Sequence, residues 1–428
     1  RRALPHRATP PRLKNDCFAM PQGIDWVPVD DALDRLRGAL RPITGTEPCP
    51  VMEAAGRVLA QNVVARRGHP PAANAAVDGY GFAGAAAPGA GPHRLPLAEG
   101  RAAAGQPFDG AVPKGMALRI LTGAALPPGV DTVVLEEDVA IDGAAIVFDG
   151  PLKAGANTRA AGEDVKAEDL VFLAGHRLLP PGLALLGAVG LAEVEVHRRL
   201  RVGVLSTGDE IVAKPGAAAA PHQIWDANRP MLLALIAGWG YEAVDFGHVG
   251  DDADAIAARF DAAAGAADVL ITSGGASAGD EDHVSALLQA RGTLSSWRIA
   301  LKPGRPLALA LWDGIPVIGV PGNPVAALVC TLIFARPALS LLAGAGWAEP
   351  QGFMVPAAFS KRKKPGRREY LRACLTPDGT AEVFASEGSG RISGLSWATG
   401  LVELPDGAME VAAGTPVRFL PYSGFGIT

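Results

Sequence analysis

Hydrophobic periodicity divides the chain into regions of different secondary structure. Leu33, Leu36 and Leu40 recur at helical spacing with charged residues between them, which predicts an amphipathic helix starting near Val29. Between residues 81 and 160, short apolar runs are separated by Gly and Pro, a pattern typical of a small β-rich domain. The first part of the chain is therefore predicted to be a helical segment followed by a β-rich insertion.

From about residue 201 the pattern changes to alternating strands and helices. Apolar strand patterns at Val202–Leu205, Ala243–Phe246 and Val269–Thr272 are separated by helical ones. This alternation continues for roughly 140 residues and predicts a mostly parallel sheet covered on both faces. After Ala345 only short strand patterns follow, which indicates a compact C-terminal β-barrel or sandwich.

The predicted fold class is multidomain α/β plus β, in agreement with a length of 428 residues. Basic residues and prolines without hydrophobic periodicity predict a flexible arm at the N-terminus. The predicted domains are a flexible basic arm (1–23), a discontinuous elongated linking domain (24–64 and 161–197), an inserted β-rich domain (65–160), a mostly parallel α/β domain (198–345) and a C-terminal β domain (346–428).

Composition excludes several classes of protein. A net charge of −5 with 19% charged residues offers no broad basic surface, so no nucleic-acid partner is expected. Four cysteines without CxxC spacing argue against a zinc site or a disulfide scaffold and favour the cytoplasm. No signal-peptide pattern is visible. The longest apolar run, Leu328–Phe334, is far shorter than a bilayer span, so no membrane partner is expected.

Polar turns follow several of the predicted strands. They are Thr207–Glu210, Ser273–Asp282 and Pro321–Pro324, with Asp251 and Asp252 after a further strand. Each alone is typical of an ordinary turn or helix cap. Ligands of open parallel sheets bind outside the C-terminal ends of the strands, so the turns together favour a functional cleft.

The turn after Val269–Thr272 carries the clearest chemical signal. Gly274 and Gly275 allow backbone amides to approach a ligand at the start of a helix, which favours negative charge. The acidic run 280–282 beside such an anion site favours a divalent cation between the carboxylates and a phosphate. The sequence therefore predicts a phosphate-plus-metal site.

Basic residues occur in two clusters. Lys302 and Arg305 flank a Pro-Gly turn and would suit a tetrahedral oxyanion, although a solvated basic turn is the alternative. The second cluster comprises Lys361–Lys364 with Arg367, Arg368 and Arg372, and is by default a solvent-exposed surface. Binding of an anionic ligand by some of its members is the less favoured interpretation.

Taken together, these motifs resemble the molybdopterin molybdotransferases, namely the bacterial MoeA proteins and the E domains of gephyrin and its plant counterpart. The matching stretches run in order from about residue 24. They are AVDGYG (76–81), LTGAALPPGVDTVVLEED (121–138), RAAGEDVKAEDLVFLAG (159–175), VGVLSTGDE (202–210), DANRPML (226–232), ITSGGASAGDEDH (271–283), LKPGRPLA (301–308), GVPGNPVAAL (319–328), GRREYLRA (366–373) and EGSGRISGL (387–395).

The resemblance implies an elongated homodimer of four-domain subunits, with the α/β domain as the pterin-binding unit. It implies that adenylylated molybdopterin and molybdate are converted to molybdenum cofactor and AMP with Mg2+. It further implies transient contact with the adenylylating enzyme and with acceptor molybdoenzymes. In the family, the loops that match Asp78 and Thr122 lie on the inserted domain and complete a cleft with the other subunit.

The family's functional residues are carried over by position. The residues implied to be catalytic are Asp78, Thr122, Asp164, Glu210, Asp251 and Asp282, of which the last three are also the implied magnesium ligands. The implied pterin and phosphate contacts are Thr207, Gly208, Ser273, Gly274, Gly275, Ser277, Pro321, Gly322, Asn323 and Pro324. The implied molybdate contacts are Lys302 and Arg305, helped by Arg367 or Arg372 and by Ser389 or Ser393.

The chain also departs from the family pattern. Arg305 replaces a usual lysine, and Ala326 stands where a serine often follows PGNPV. Ala276 and Ala278 replace bulkier residues, and Val77 replaces a methionine. These changes are compatible with altered oxyanion preference or reduced turnover. Two alternatives therefore stay open: an adenylyltransferase-type enzyme, and a catalytically weakened pterin-binding scaffold.

Overall fold

The computed structural model describes residues 26–274, 283–304, 306–388 and 390–427. The predicted N-terminal arm lies outside these residues. The helices are α1 (Val29–Ala39), α2 (Pro180–Ala188), α3 (Asn228–Gly238), α4 (Ala253–Ala266), α5 (His283–Arg291), α6 (Pro324–Cys330), α7 (Arg336–Leu342) and α8 (Ser393–Trp397). A π-helical segment, Thr331–Ala335, joins α6 to α7.

The strands follow in chain order. They are β1 (Thr46–Pro50), β2 (Val63–Val64), β3 (Asn74–Ala75), β4 (Gly79–Phe82), β5 (His93–Ala102), β6 (Ala117–Ile120), β7 (Thr132–Leu135), β8 (Ala140–Asp142), β9 (Ala145–Phe148), β10 (Thr158–Arg159), β11 (Leu170–Phe172), β12 (Glu193–His197), β13 (Arg201–Thr207), β14 (Ile211–Val212), β15 (Ile224–Trp225), β16 (Glu242–Val249), β17 (Val269–Ser273), β18 (Thr293–Arg298), β19 (Leu301–Lys302), β20 (Pro306–Trp312), β21 (Ile315–Val320), β22 (Phe353–Pro356), β23 (Lys361–Lys363), β24 (Arg368–Leu375), β25 (Ala381–Val383), β26 (Gly400–Leu404), β27 (Met409–Val411) and β28 (Pro416–Pro421).

The chain forms two compact units. Unit 1 comprises Arg1–Glu47 and Val196–Thr428, and unit 2 comprises Pro48–Glu195. The chain passes from one unit to the other twice, along β1 and β12, and these two strands pair with each other. Unit 2 is therefore an insertion whose two ends are adjacent.

The main sheet of unit 1 has the order β16-β13-β17-β21-β20-β18. The first four strands are parallel, but β20 and β18 are antiparallel to their neighbours. The sheet is therefore mostly parallel, as predicted, although it is mixed, because β20 alone runs against the other five strands. The cause is the two-residue turn Asp313-Gly314 between β20 and β21, where both residues have positive φ, as a tight hairpin requires.

Helices cover both faces of this sheet. Side chains of α3, α6 and α7 form one apolar cluster with the strands, while α4 and α5 cover the opposite face through residues such as Phe260 and Leu288. The predicted helix near Val29 is present as α1, with Ala32 and Leu36 buried in the first cluster. Helix α1, placed in the linking domain by the sequence prediction, thus packs into the core of unit 1.

The continuous helical run Pro324–Leu342 is longer than the apolar run recognised in the sequence. By length and composition alone it would pass as a membrane-spanning helix. However, 89% of its apolar window is buried inside the protein, as in a core helix. This is the one candidate span found in the described part of the chain.

The C-terminal part of unit 1 contains a second six-stranded sheet, of order β19-β24-β26-β28-β22 with β25 paired to β24. Within the described residues this order does not close, so the predicted barrel is an open sheet there. The apolar pattern of Ile299–Leu301 predicts a strand there, but the structure shifts it: Leu301 and Lys302 pair with β24, and Ile299 forms only an isolated bridge. The short helix α8 also lies after Ala345, where only strands were predicted.

Unit 2 contains a third six-stranded sheet, of order β7-β4-β6-β5-β9-β8. This agrees with the β-rich character predicted for residues 65–160. The flanking segments meet where β2 pairs with β11, and α2 begins with Pro180 in its first turn, a position that proline favours. The loop before β4 and the loop after β6 carry Asp78 and Thr122. The domain boundaries themselves stay a prediction.

Candidate functional site

The C-terminal ends of the four parallel strands lie at one edge of the unit 1 sheet. Ser273 at the end of β17 is in register with Ser206 of β13 and with Val320 of β21. The backbone amide of Gly274 donates to the carbonyl of Val320 at 3.3 Å. The sheet therefore brings together the turns that begin at Thr207, Ser273 and Pro321, as the sequence predicted.

Gly274 is required by the close approach of two of these turns. Its φ is +97°, and a Cβ at this position would lie 2.6 Å from the carbonyl oxygen of Thr207 and 2.9 Å from its Oγ1. Any other residue here would clash with Thr207 through its Cβ and would also be strained in this backbone conformation. Gly208 also has a positive φ, and the carboxylate of Glu210 folds back over it.

Asn228, at the start of α3, ties two of the turns together. Its Nδ2 donates to Ser273 Oγ at 2.7 Å and to the carbonyl of Gly322 at 2.7 Å. The residue is 5% exposed. Asn228 belongs to the stretch DANRPML, but the sequence does not predict that it links two turns, because an Asn in a first helical turn is by itself an ordinary capping residue.

Several buried polar atoms at this edge lack a hydrogen-bond partner within the described part of the chain. They include Oδ1 of Asn228 and Oγ1 of Thr207. Burying such groups unpaired costs about 1–3 kcal/mol each, so they are uncommon in a finished core. Their unused hydrogen-bonding capacity, together with the glycine turns, suits a polar ligand.

The acidic residues of this edge form a second link between turns. The backbone amide of Asp209 donates to the carboxylate of Asp251 at 3.2 Å, and the amide of Asp251 donates to the carboxylate of Asp209 at 2.9 Å. Asp252 is the N-cap of α4 and accepts from the amide of Ala255 at 2.7 Å. The simple capping interpretation is thus right for Asp252, while Asp251 faces the turn that carries Glu210.

Asp209, Asp251 and Glu210 provide only oxygen donors, which is the ligand chemistry that Mg2+ selects. Among the described residues, no three His, Cys, Asp or Glu side chains come close enough to hold a metal on their own. Such a cluster is not needed for magnesium bound with a nucleotide, because Mg2+ then uses one or two carboxylates together with phosphates and water. The residues present therefore fit that ion.

The turn that precedes α6 is built by Asn323 and Pro324. The Oδ1 of Asn323 accepts from the amide of Val325 at 3.2 Å and caps the helix, and Pro324 occupies its first turn. Ala326 is buried and faces Gly304, whose Cβ, if present, would lie 3.4 Å from that of Ala326. The serine-to-alanine departure therefore removes a hydroxyl directly beside the Lys302-Pro303-Gly304 turn.

Lys302 belongs to a four-membered charge cluster beside the C-terminal sheet. Its Nζ lies 2.6 Å from Glu387 Oε2, and Nζ of Lys361 donates to Oε1 of the same carboxylate. Lys361 also lies 3.1 Å from Glu369 Oε2. Burial would lower the pKa of Lys361, but hydrogen bonds from its ammonium to Glu387 and Glu369 outweigh burial and raise it.

The two carboxylates of this charge cluster were missed by the sequence analysis. Burial would raise the pKa of Glu387, but hydrogen bonds from Lys302 and Lys361 lower it. Of the two predicted oxyanion-binding cations, Lys302 therefore lies beside Lys361, and within the described residues these two ammonium groups are balanced by two carboxylates. The pairing of Lys302 with Glu387 joins residues 85 positions apart, which no local motif reveals.

Arg372, predicted as a molybdate contact, holds the segment around Glu387. Its terminal nitrogens donate to the carbonyls of Ser386 at 2.5 Å, Gly388 at 3.2 Å and Arg391. Its side chain also lines an open cleft together with Lys302 and Glu387.

The other predicted molybdate contacts lie around this cleft or outside the described residues. Ser393 is exposed and begins α8, next to Gly394, whose Cβ, if present, would lie 2.8 Å from Nη1 of Arg372. Arg367 lies near Lys363 instead, and the pKa of that lysine is lowered mainly by burial and further by the charge of Arg367. The predicted site residues outside the described part of the chain are Gly275, Ser277, Asp282, Arg305 and Ser389.

In unit 2 the structure brings Asp78 and Thr122 together. Asp78 Oδ1 accepts from the amide of Thr122 at 2.6 Å and from its hydroxyl at 2.8 Å. These two hydrogen bonds lower the pKa of Asp78, the backbone one most strongly. Asp164 is exposed in a separate loop, and in the described part of unit 2 no hydrogen bond joins its carboxylate to this pair.

Comparison with known proteins gives matches over nearly the whole chain. Residues 27–190 match the MoeA N-terminal region (domain I and II), residues 203–341 a probable molybdopterin binding domain, and residues 354–422 the MoeA C-terminal region (domain IV).

Individual relatives match over a similar extent. A molybdopterin molybdenumtransferase of Haemophilus influenzae is 35% identical over 92% of this chain and 98% of its own length. Molybdopterin molybdenumtransferase 2 of Mycobacterium tuberculosis is 35% identical over 89% of this chain and 95% of its own length. The crystal structure of a molybdopterin biosynthesis MoeA protein from Pyrococcus horikoshii superposes with a TM-score of 0.80 at 27% identity, covering 93% of this chain and 100% of that one.

Proposed function

The chain belongs to the MoeA family, and on that premise we propose that it is a molybdopterin molybdotransferase. In the proposed reaction, molybdate is inserted into adenylylated molybdopterin, and molybdenum cofactor and AMP are released. The observation that carries the proposal is the ordered match of all three family regions, together with 35% identity to a molybdenumtransferase over 98% of that protein.

The unit 1 sheet edge is the proposed site for the adenylylated pterin. Gly274 and Gly322 lie in two of the turns there, and the hydrogen bonds of Asn228 link these two turns. Fixed amide donors and helix N-termini stabilise phosphate without reorganisation when charge develops on it. The turns at Thr207–Glu210 and Pro321–Pro324 are proposed to form the remaining walls.

The charge cluster beside the C-terminal sheet is the proposed site for molybdate. Lys302 and Lys361 place two ammonium groups on one carboxylate, so two oxygens of an oxyanion can be bound in the same way. Arg372 lines the same cleft and holds one of its walls. Lysine ammonium groups also leave molybdate free to turn, because each is a point charge rather than a fixed fork.

Asp78 and Thr122 are proposed to act in the chemical step. The carboxylate of Asp78 is held ionised by two donors from Thr122, and its second oxygen, Oδ2, is left for a substrate group. Asp164 is proposed to assist from its own loop. Magnesium would be held by Glu210, Asp251 and Asp282, and when bound it would neutralise charge on the phosphoanhydride oxygens.

We further propose a cytoplasmic homodimer that takes its substrate from the adenylylating enzyme and passes its product to acceptor molybdoenzymes. The implied contribution of both subunits to one cleft supports the dimer, which sedimentation would test. A monomer with full activity would contradict it.

The direct test supplies adenylylated molybdopterin with and without molybdate and measures AMP by chromatography. Molybdate-dependent release of AMP is the expected result. Adenylylated product formed from ATP and molybdopterin, without molybdate-dependent AMP release, would instead support an adenylyltransferase. Binding of the nucleotide without either reaction would indicate a scaffold.

A further inference from the structure

The carboxylate of Glu387 occupies the position that an incoming oxyanion would take. One of its oxygens contacts the ammonium of Lys302 and the other contacts that of Lys361. A carboxylate bound through two oxygens imitates one edge of a tetrahedral anion such as molybdate. An external oxyanion can therefore bind both lysines only if this internal anion leaves.

The two carboxylates of the charge cluster differ in their freedom to leave. The side chain of Glu369 is 9% exposed and lies on β24, where it is fixed by the sheet. The side chain of Glu387 is 43% exposed and lies between β25 and α8, outside regular structure. The carboxylate of Glu387 can therefore leave the lysines and become solvated at a low cost in free energy, because exposed ion pairs are weak.

The backbone on both sides of Glu387 is nevertheless held in place. Arg372 donates to the carbonyls of Ser386 and Gly388, the residues immediately before and after it. Movement is thereby confined to the rotatable bonds of the Glu387 side chain. Lys361 keeps its contact with Glu369 when Glu387 turns away, so the cationic site survives the exchange.

We propose that Glu387 is a specificity-determining residue that competes with molybdate for Lys302 and Lys361. This inference rests on the proposed function of the charge cluster. Molybdate then binds by replacing the Glu387 carboxylate, and the apparent affinity is reduced by the fraction of molecules in which Glu387 occupies the site. Weakly charged or poorly fitting anions fail to displace it and are excluded.

The test uses the full chain with E387Q and E387A, compared with the wild type for KM and kcat in molybdate-dependent AMP release. We expect the KM for molybdate to fall by about three- to tenfold, more for E387A, with the KM for the pterin nucleotide unchanged, because a partly exposed ion pair is removed. E410Q is the matched control, since Glu410 pairs with Arg362 elsewhere on the C-terminal part of unit 1. It should behave as the wild type.

An unchanged or increased KM for molybdate in both variants would overturn the inference, since Glu387 would then only support the lysines. Calorimetric titration with molybdate alone provides a readout that does not depend on turnover. Tighter binding to E387Q than to the wild type supports the competition even if no AMP is released. The absence of AMP release from the wild type would count against the proposed function, and equal molybdate affinities would count against the role of Glu387.

Discussion

Replacing Asn228 by alanine tests whether the tether between the two turns serves ligand binding. The substitution removes two hydrogen bonds of 2.7 Å, one to Ser273 Oγ and one to the carbonyl of Gly322. Each such bond contributes about 1 kcal/mol net, so unit 1 should lose about 2 kcal/mol of stability. Loss of the buried, unpaired Oδ1 of Asn228 removes a cost of about 1–3 kcal/mol, so about 2 kcal/mol is the upper bound of the expected destabilisation.

The functional effect should exceed a general loss of stability. If the turns must be held at this separation to bind the nucleotide, a loss of about 1–2 kcal/mol in binding free energy raises the KM for the nucleotide by about 5- to 30-fold. The KM for molybdate should not change, because Lys302 and Lys361 lie in a different cluster. Steady-state AMP release and calorimetric titration with the adenylylated pterin measure both quantities.

Asn62 offers the matched control for this experiment. Its Oδ1 accepts one hydrogen bond from the amide of Ala174 at 2.9 Å, in unit 2. N62A should lower stability slightly and leave both KM values unchanged. The reasoning is refuted if N228A loses the expected stability but binds the nucleotide as the wild type does, since the tether would then be structural only.

Three further substitutions extend these expectations. D78A should retain nucleotide binding yet abolish AMP release, whereas release at the wild-type rate would remove that loop from the chemistry. G274A should lose nucleotide binding because its Cβ would meet a neighbouring carbonyl at 2.6 Å. G216A is the control, because Gly216 also has a positive φ but open space around it. This variant should bind the nucleotide normally and lose only the stability that corresponds to backbone strain, about 1–2 kcal/mol. The third substitution is D268N. Burial would raise the pKa of Asp268, but hydrogen bonds from Arg198 and Arg201 outweigh burial and hold this pKa below 3.8. This ionised carboxylate should therefore stabilise unit 1 fully above its unfolded-state pKa and less as pH falls through the lowered folded-state pKa, so urea unfolding curves of D268N and wild type should converge in acid.

The local pattern of apolar and polar residues predicted the strands and turns that position the site at the edge of the unit 1 sheet. Strand runs ending in glycine turns located Thr207, Ser273 and Pro321, because parallel strands end at a common edge whatever their order. The antiparallel β20 was missed although Asp313-Gly314 is a strong hairpin signal, since its strand was assigned by alternation alone.

The partners of the predicted cations could not be inferred from the sequence. Lys302 was identified by its turn, but Glu387 comes to it through the pairing of β19 with β24 and through the backbone contacts of Arg372. Asn228 likewise acquires its role from two turns that follow it by 45 and 94 positions. Contacts of this kind depend on strand order and register, which a single sequence does not determine.

The pairing of β1 with β12 has a consequence for how this architecture can be rearranged. Pro48–Glu195 enters and leaves the rest of the chain through adjacent strands, so joining the host segments across the gap closes only a short loop and costs little chain entropy. The host contains its own apolar clusters, independent of the inserted segment. Such a segment can be exchanged, lengthened or lost during evolution while the remainder keeps a continuous core.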